Sequence, residues 1–109
     1  MAVRKLFPPK VICGAEINAI VEPKELYGNG GMFAHVRLDT GAVVDWHVHL
    51  GEVEYYYILK GTGIYTDEDR TEYTVVPGDV CTITPDNGHA IRNEQPETLE
   101  FIALVINSH

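Results

Sequence analysis

An all-β fold of short antiparallel strands is what this chain of 109 residues predicts, and three observations predict it. From Met32 onward apolar and polar positions alternate with period two, as Met32, Ala34, Val36 and Leu38 do against Phe33, His35 and Arg37. Turn-forming clusters of Gly, Pro, Asp and Asn recur at short intervals from Gly28 to Gly88. Helical periodicity is weak, its nearest approach being the thin stripe of Ile17, Ile20 and Val21. Many short strands divided by such turns form a sandwich or barrel. The length allows one domain with one core, but not two.

The elements follow in order. Residues 1–10 read as an extended arm, because Pro8-Pro9 excludes a helix. Ala15 to Glu25 reads as strand and loop, and Gly28-Asn29-Gly30-Gly31 as a connector. Residues 1–31 are thus expected to be arm and loop, and residues 32–106 the barrel. Asp39-Thr40-Gly41 turns the chain into a strand over Ala42 to His49. Tyr55 to Lys60 is aromatic and β-branched, and Gly61-Thr62-Gly63 bends it, as a small barrel requires at its corners. Asp67-Glu68-Asp69-Arg70 is a polar hairpin tip, Thr71 to Val76 returns, and Pro77-Gly78-Asp79 turns again. Val80 to Thr84 and His89 to Asn93 are further strands, with Pro85 to Gly88 between them. Leu99 to Ile106 is almost unbroken in its apolar character, the pattern of a strand buried on both faces.

The chemistry gathers around His47-Val48-His49. Alternation along a strand points both imidazoles to one side of a sheet. Glu54 lies five residues further on, within reach of a short turn, and His89 brings a third imidazole. Imidazole and carboxylate together suit a divalent transition metal. Counting by parity from Glu54 turns Tyr56 and Ile58 inward, and Tyr55 and Tyr57 outward. Counting from His89 turns Ile91 and Asn93 inward and Arg92 outward. Tyr56 is then either a hydrogen-bond donor in the pocket or a core aromatic. Asp45 shares the parity of His47 and is a candidate base or partner for the ligands. Trp46, of opposite parity, is assigned to packing or to a dimer surface. Glu52 is an alternative to Glu54 if the turn is shaped differently. His35 reads as structural.

These residues carry a resemblance to the cupins. Gly41, His47, His49, Glu54 and Gly61 have the spacing of the first cupin motif without a gap, and Gly78, His89 and Asn93 have that of the second. The proline and second glycine that the family carries six and eight residues after the first glycine of that motif are displaced here, to Pro85 and Gly88. The resemblance implies a jelly-roll barrel, the double-stranded β-helix. It also implies that His47, His49, Glu54 and His89 bind one divalent metal. Three neutral imidazoles and one carboxylate would leave such a site with a net charge of about +1. Six-coordinate manganese, iron or nickel would keep two positions for a small ligand, whereas zinc more usually stops at four or five.

Composition narrows the partners. Sixteen acidic residues against eight basic ones, a formal charge of -8, argue against nucleic-acid phosphates and acidic membrane surfaces. No apolar run is long enough to span a bilayer, and no signal peptide is expected at the N-terminus. Cys13 and Cys81 read as reduced thiols of a cytoplasmic protein. A proline-containing arm and a two-sided apolar strand lead us to expect a homodimer formed by strand exchange, since a monomer would offer the arm little to hold it. Three functions fit the sequence: a metal-dependent dioxygenase, decarboxylase or isomerase acting on a small polar molecule; a non-catalytic small-molecule or sugar-binding module; and a barrel acting through protein contacts alone. The catalytic candidates of the first are Tyr56, Asp45 and His35.

Overall fold

The computed structural model describes residues 3–12 and 14–108. Ten strands form two antiparallel sheets: β1 (Lys10–Ile12), β2 (Ala15–Val21), β3 (Gly30–Leu38), β4 (Val43–Val48), β5 (Glu52–Lys60), β6 (Gly63–Thr66), β7 (Glu72–Val75), β8 (Val80–Ile83), β9 (Gly88–Arg92) and β10 (Leu99–Asn107). One sheet runs β1-β2-β3-β10-β5-β8 and the other β4-β9-β6-β7. Consecutive strands repeatedly fall in opposite sheets, which is the jelly-roll arrangement. A short 3₁₀ turn over Pro23–Leu26 is the one helical element among the described residues. Among the described residues no helix is long and apolar enough to cross a membrane.

The core lies between the sheets and is filled by the predicted inward positions. Leu38, Ile58, Ile91, Leu99 and Phe101 are fully buried. β10 is the spine, pairing with β3 on one side and β5 on the other. Two glycines are needed where the backbone is crowded. Gly61 has φ +83°, and a Cβ there would stand 2.5 Å from the carbonyl oxygen of Thr98, so only glycine can turn β5 past β10. Gly88 accepts the indole of Trp46, which a Cβ would meet at 2.5 Å. The Arg70 guanidinium lies over that indole, 3.6 Å from the ring centre. Trp46 is therefore a packing residue within its own chain, and it ties the β6–β7 hairpin tip to the four-stranded sheet.

The N-terminal residues join the larger sheet. Strand β2 joins the larger sheet through β3, so that sheet begins before residue 32. The arm is also held by its own chain. β1 pairs with β2, Phe7 N–H donates to the carbonyl of Ala19, and the Asn18 amide donates to the carbonyl of Phe7, each at 3.0 Å. Arg4 adds a two-pronged contact to Glu25, at 2.8 and 3.0 Å. Backbone pairing and one ion pair hold the arm against β2 and Glu25. Cys13 lies outside the described residues. Cys81 is a free, buried thiol, which burial and then the nearby Asp79 and Asp67 push up to about 12, so it is inert as a nucleophile at neutral pH.

Candidate metal centre

Three strands and one turn deliver the site. β4 and β9 pair so that His47 stands directly opposite His89, a cross-strand pair on the inner face. His49 follows the end of β4, and Glu54 comes up from β5 in the facing sheet. The turn ahead of His89 closes although its glycine is displaced. Asp86, eight residues after Gly78, takes a left-handed φ of +68°, which aspartate tolerates better than most residues. Its carboxylate accepts the Gly51 N–H at 2.8 Å, so the same turn also fixes the loop between His49 and Glu54.

The four predicted ligand residues converge. One ligand atom from each of His47, His49, Glu54 and His89 lies within 4.8 Å of the others, the one such cluster among the described residues. Glu54 Oε1 is the common point, 2.7 Å from His89 Nε2, 2.8 Å from His49 Nε2 and 3.5 Å from His47 Nε2. Glu54 and His89 are buried, whereas the His47 side chain keeps 32% of its surface, so the cluster opens to solvent past His47.

The far sides of the rings explain why all three present Nε2. His47 Nδ1–H donates to the carbonyl of Asp45 at 2.8 Å, and His49 Nδ1–H to the Glu52 carboxylate at 3.3 Å. His89 Nδ1 faces the Tyr65 hydroxyl at 2.8 Å. Pure acceptors on the first two rings force the tautomer whose lone pair sits on Nε2. Lone pairs and a carboxylate oxygen then crowd one another, with His47 Nε2 only 3.1 Å from His89 Nε2. Such a set needs a proton or a cation at its centre. An N₃O donor set of this kind fits a divalent transition metal.

The charges agree with that reading. Hydrogen bonding to Glu54 raises the His47 imidazole, against the opposing effect of its burial. Burial alone would raise the Glu54 carboxyl, but the hydrogen bonds from His47 and His89 and the nearby imidazole charge bring it down to about 2. Glu54 is therefore an anion throughout the physiological range.

Parity placed the walls well on two strands and failed on a third. Tyr56 and Ile58 point inward and are buried, and Tyr56 stacks on His89 with ring centres 5.1 Å apart and planes inclined by 19°. Burial and the adjacent Glu54 push its hydroxyl well up, so Tyr56 can donate a hydrogen bond but does not act as a base. Asn93 is fully buried away from the cluster, donating to the carbonyls of Leu38 and Glu97 and accepting from Gln95 N–H. It staples the end of β9 to the loop before β10. Asp45 does not reach the site. A bulge between Val44 and His47 inserts one extra residue into β4, so its side chain is exposed and only its carbonyl serves His47. Glu52 approaches the cluster through His49, leaving the common point to Glu54.

His35 lies apart on the outer face of β3, its Nε2 3.3 Å from Glu100 and its Nδ1 buried without a partner. Burial and then Arg37 hold this imidazole down despite Glu100, which suits a neutral structural residue. Tyr65 is the site residue that the sequence reading missed. It sits on β6 opposite Ile91, and its inward parity beside Gly63 was the available signal.

Known proteins resemble this chain in fold and sequence. Residues 34–106 match the family described as the cupin domain. An oxalate-binding protein of Thermotoga maritima is 33% identical over 91 residues, covering 84% of this chain and 74% of that protein. The crystal structure of a predicted oxalate decarboxylase from Thermotoga maritima has a TM-score of 0.90 and 30% identity, over 98% of this chain and 99% of that one. A sugar phosphate isomerase of the cupin superfamily from Silicibacter pomeroyi, 20% identical, shares the fold with a TM-score of 0.73 over 95% of this chain and 71% of that one.

Proposed function

The chain belongs to the cupin family, and from that membership we propose that it uses one divalent transition metal (Mn, Fe, Ni or Zn) to bind a small dicarboxylate of the oxalate class. His47, His49, Glu54 and His89 would hold the ion, which supplies Lewis-acid attraction for anionic oxygens. The observation that carries the reading is that, among the described residues, no lysine or arginine stands at the cluster. Arg4 is engaged with Glu25, Arg37 with Asn18 and Glu100, Arg70 with Trp46, and Arg92 with Glu72 and Glu94. Lys5, Lys10, Lys24 and Lys60 are exposed. A chain carrying -8 overall, with Glu54 ionised at the centre of its pocket, attracts an anion far more strongly once a metal is bound. The relative named for oxalate binding supports the choice of ligand.

Calorimetric titration of oxalate into metal-loaded and metal-stripped protein, with elemental analysis of both, tests this. Binding is expected to the loaded form alone. Equal binding by the stripped chain, or none by either, would overturn it. Turnover is the second reading, favoured by the relative described as a predicted oxalate decarboxylase. Asp45 faces away, Tyr56 holds its proton and Glu52 is engaged by His49, so no side-chain base is free beside the cluster. Binding without turnover is therefore preferred, and release of carbon dioxide from oxalate by the loaded protein would reverse that preference.

A further inference from the structure

We propose that the acid taken at the metal centre carries an apolar tail, as an α-oxo acid with an aliphatic chain does, and that the tail lies in a trough over β2 and β3. This rests on the reading that the cluster binds a carboxylate through a metal ion. The trough comes from the unequal width of the two sheets. The larger has six strands and the smaller four, so β1 and β2 overhang the edge strand β4. Facing sheets stand about 10 Å apart, and on the overhang the inward side chains are too short to fill that depth. Ala19, for example, pairs in register with Ala34. The result is a cavity of about 410 Å³ floored by Ile17, Ala19, Met32 and Ala34, with Phe7 and Ile12 at its outer side. Small-molecule sites span roughly 300–1,000 Å³ and are mostly apolar, with few polar groups.

Three observations join the trough to the metal centre. At one corner the sheets close on each other, since a Cβ on Gly14, ahead of β2, would stand 3.1 Å from the Cβ of Ala42, ahead of β4. At the other end the trough reaches Gly31, where a Cβ would stand 3.1 Å from Glu52 Oε2. That carboxylate accepts from His49 Nδ1–H, so the trough ends one hydrogen bond from a proposed ligand. Third, Glu54, Val105 and Met32 stand in register across β5, β10 and β3. Met32 on the trough floor is thus two strand spacings, about 10 Å, from Glu54. His47 has His89 on one flank and the open edge of β4 on the other, and its half-open side looks past that edge. The lining then selects the tail. Lys10 and Glu22, the two charged residues lining the trough, cancel in sign, so a neutral chain suits it. Oxalate leaves the trough empty. Replacing its second carboxylate by a ketone keeps two oxygens on adjacent carbons and frees one bond for a carbon chain. It also removes a negative charge, which suits a chain of -8.

Calorimetric titration of the metal-loaded full chain with oxalate, with pyruvate and with its ethyl, propyl and butyl homologues tests the proposal. Affinity is expected to tighten about threefold for each added methylene, roughly thirtyfold from pyruvate to the butyl homologue. Ala19→Phe, which fills the floor of the trough, should cut that ratio by about tenfold. Its fold is checked by circular dichroism and melting, and the series on the wild type stands without it. Oxalate binding with no gain along the series, as a trough covered by another chain would give, overturns the tail and leaves the oxalate reading intact. An equal gain in metal-stripped protein overturns the link between trough and metal centre. A gain indifferent to Ala19→Phe overturns the trough as the seat of the tail. Binding of none of these acids overturns the tail and the oxalate reading together.

Discussion

Tyr65→Phe removes one oxygen and tests how the metal centre is held. The hydroxyl is 2.8 Å from His89 Nδ1, and His89 is 1% exposed, so no water replaces it. The ring then has two choices. It can keep Nδ1–H and leave a buried donor unpaired, at a cost of about 1–3 kcal/mol. Alternatively it can move the proton to Nε2 and donate to Glu54 Oε1, 2.7 Å away, which relieves the metal-free chain but surrenders the lone pair a metal needs. Either way the penalty falls on the loaded state. Metal affinity should drop by about 10–100-fold, which corresponds to about 1.4–2.7 kcal/mol. Competition against a chromophoric chelator measures it, with Tyr73→Phe as the control, since Tyr73 lies opposite Tyr65 but is 50% exposed. If Tyr65→Phe folds normally and binds metal as tightly as the wild type, the hydroxyl does not orient His89, and the account of the tautomers fails.

Other outcomes follow from the same geometry. His49→Ala should sharply lower metal content at neutral pH by elemental analysis, since it removes a nitrogen 2.8 Å from the common oxygen, and unchanged occupancy would refute the assignment. Added metal should raise the melting temperature at pH 7.5, with a gain that shrinks towards pH 5 as protons reclaim the imidazoles, and the triple alanine variant at His47, His49 and His89 should show no gain at either pH. In the metal-free chain, the depressed Glu54 carboxyl contributes stability above about 4.5 that is lost as pH falls through about 2. The raised His47 imidazole contributes below about 6.5 and fades as pH rises through its folded value. Metal-free protein should therefore melt highest between those limits, and loaded protein at a higher pH. Gly88→Ala should destabilise by about 1–3 kcal/mol and shift the emission of Trp46, the sole tryptophan, whose indole it displaces.

Much of the fold and the four-residue cluster could be read from the sequence, because alternation and turn chemistry act locally. Glu54, Tyr56 and Ile58 on β5, and His89 and Ile91 on β9, fall where parity puts them. Asp45 failed because a bulge resets parity, and nothing in Val43–Val48 announces it: the segment holds neither glycine nor proline. Tyr65 was missed because its partner is 24 residues away, and only the pairing of β6 with β9 brings them together. Asn93 faces inward as parity expects, and its carbonyl partners set it the task of joining strands. The pairing of the arm with β2 was not legible for another reason. Its anchoring is mostly backbone to backbone, which side-chain patterns do not record.

The β4 bulge has a consequence for how this strand can vary in length. Asp45 and Trp46 occupy one station on the outside, between the inward-facing Val44 and His47. Losing Asp45 would return β4 to regular alternation with Val44, His47 and His49 still aimed into the barrel, and with Trp46 still available to Gly88 and Arg70. An added residue has no such spare station to occupy. A one-residue deletion here keeps the histidines in phase with His89 and costs His47 only the carbonyl of Asp45, while a one-residue insertion throws both β4-side histidines out of phase. Length variation should be tolerated in one direction only.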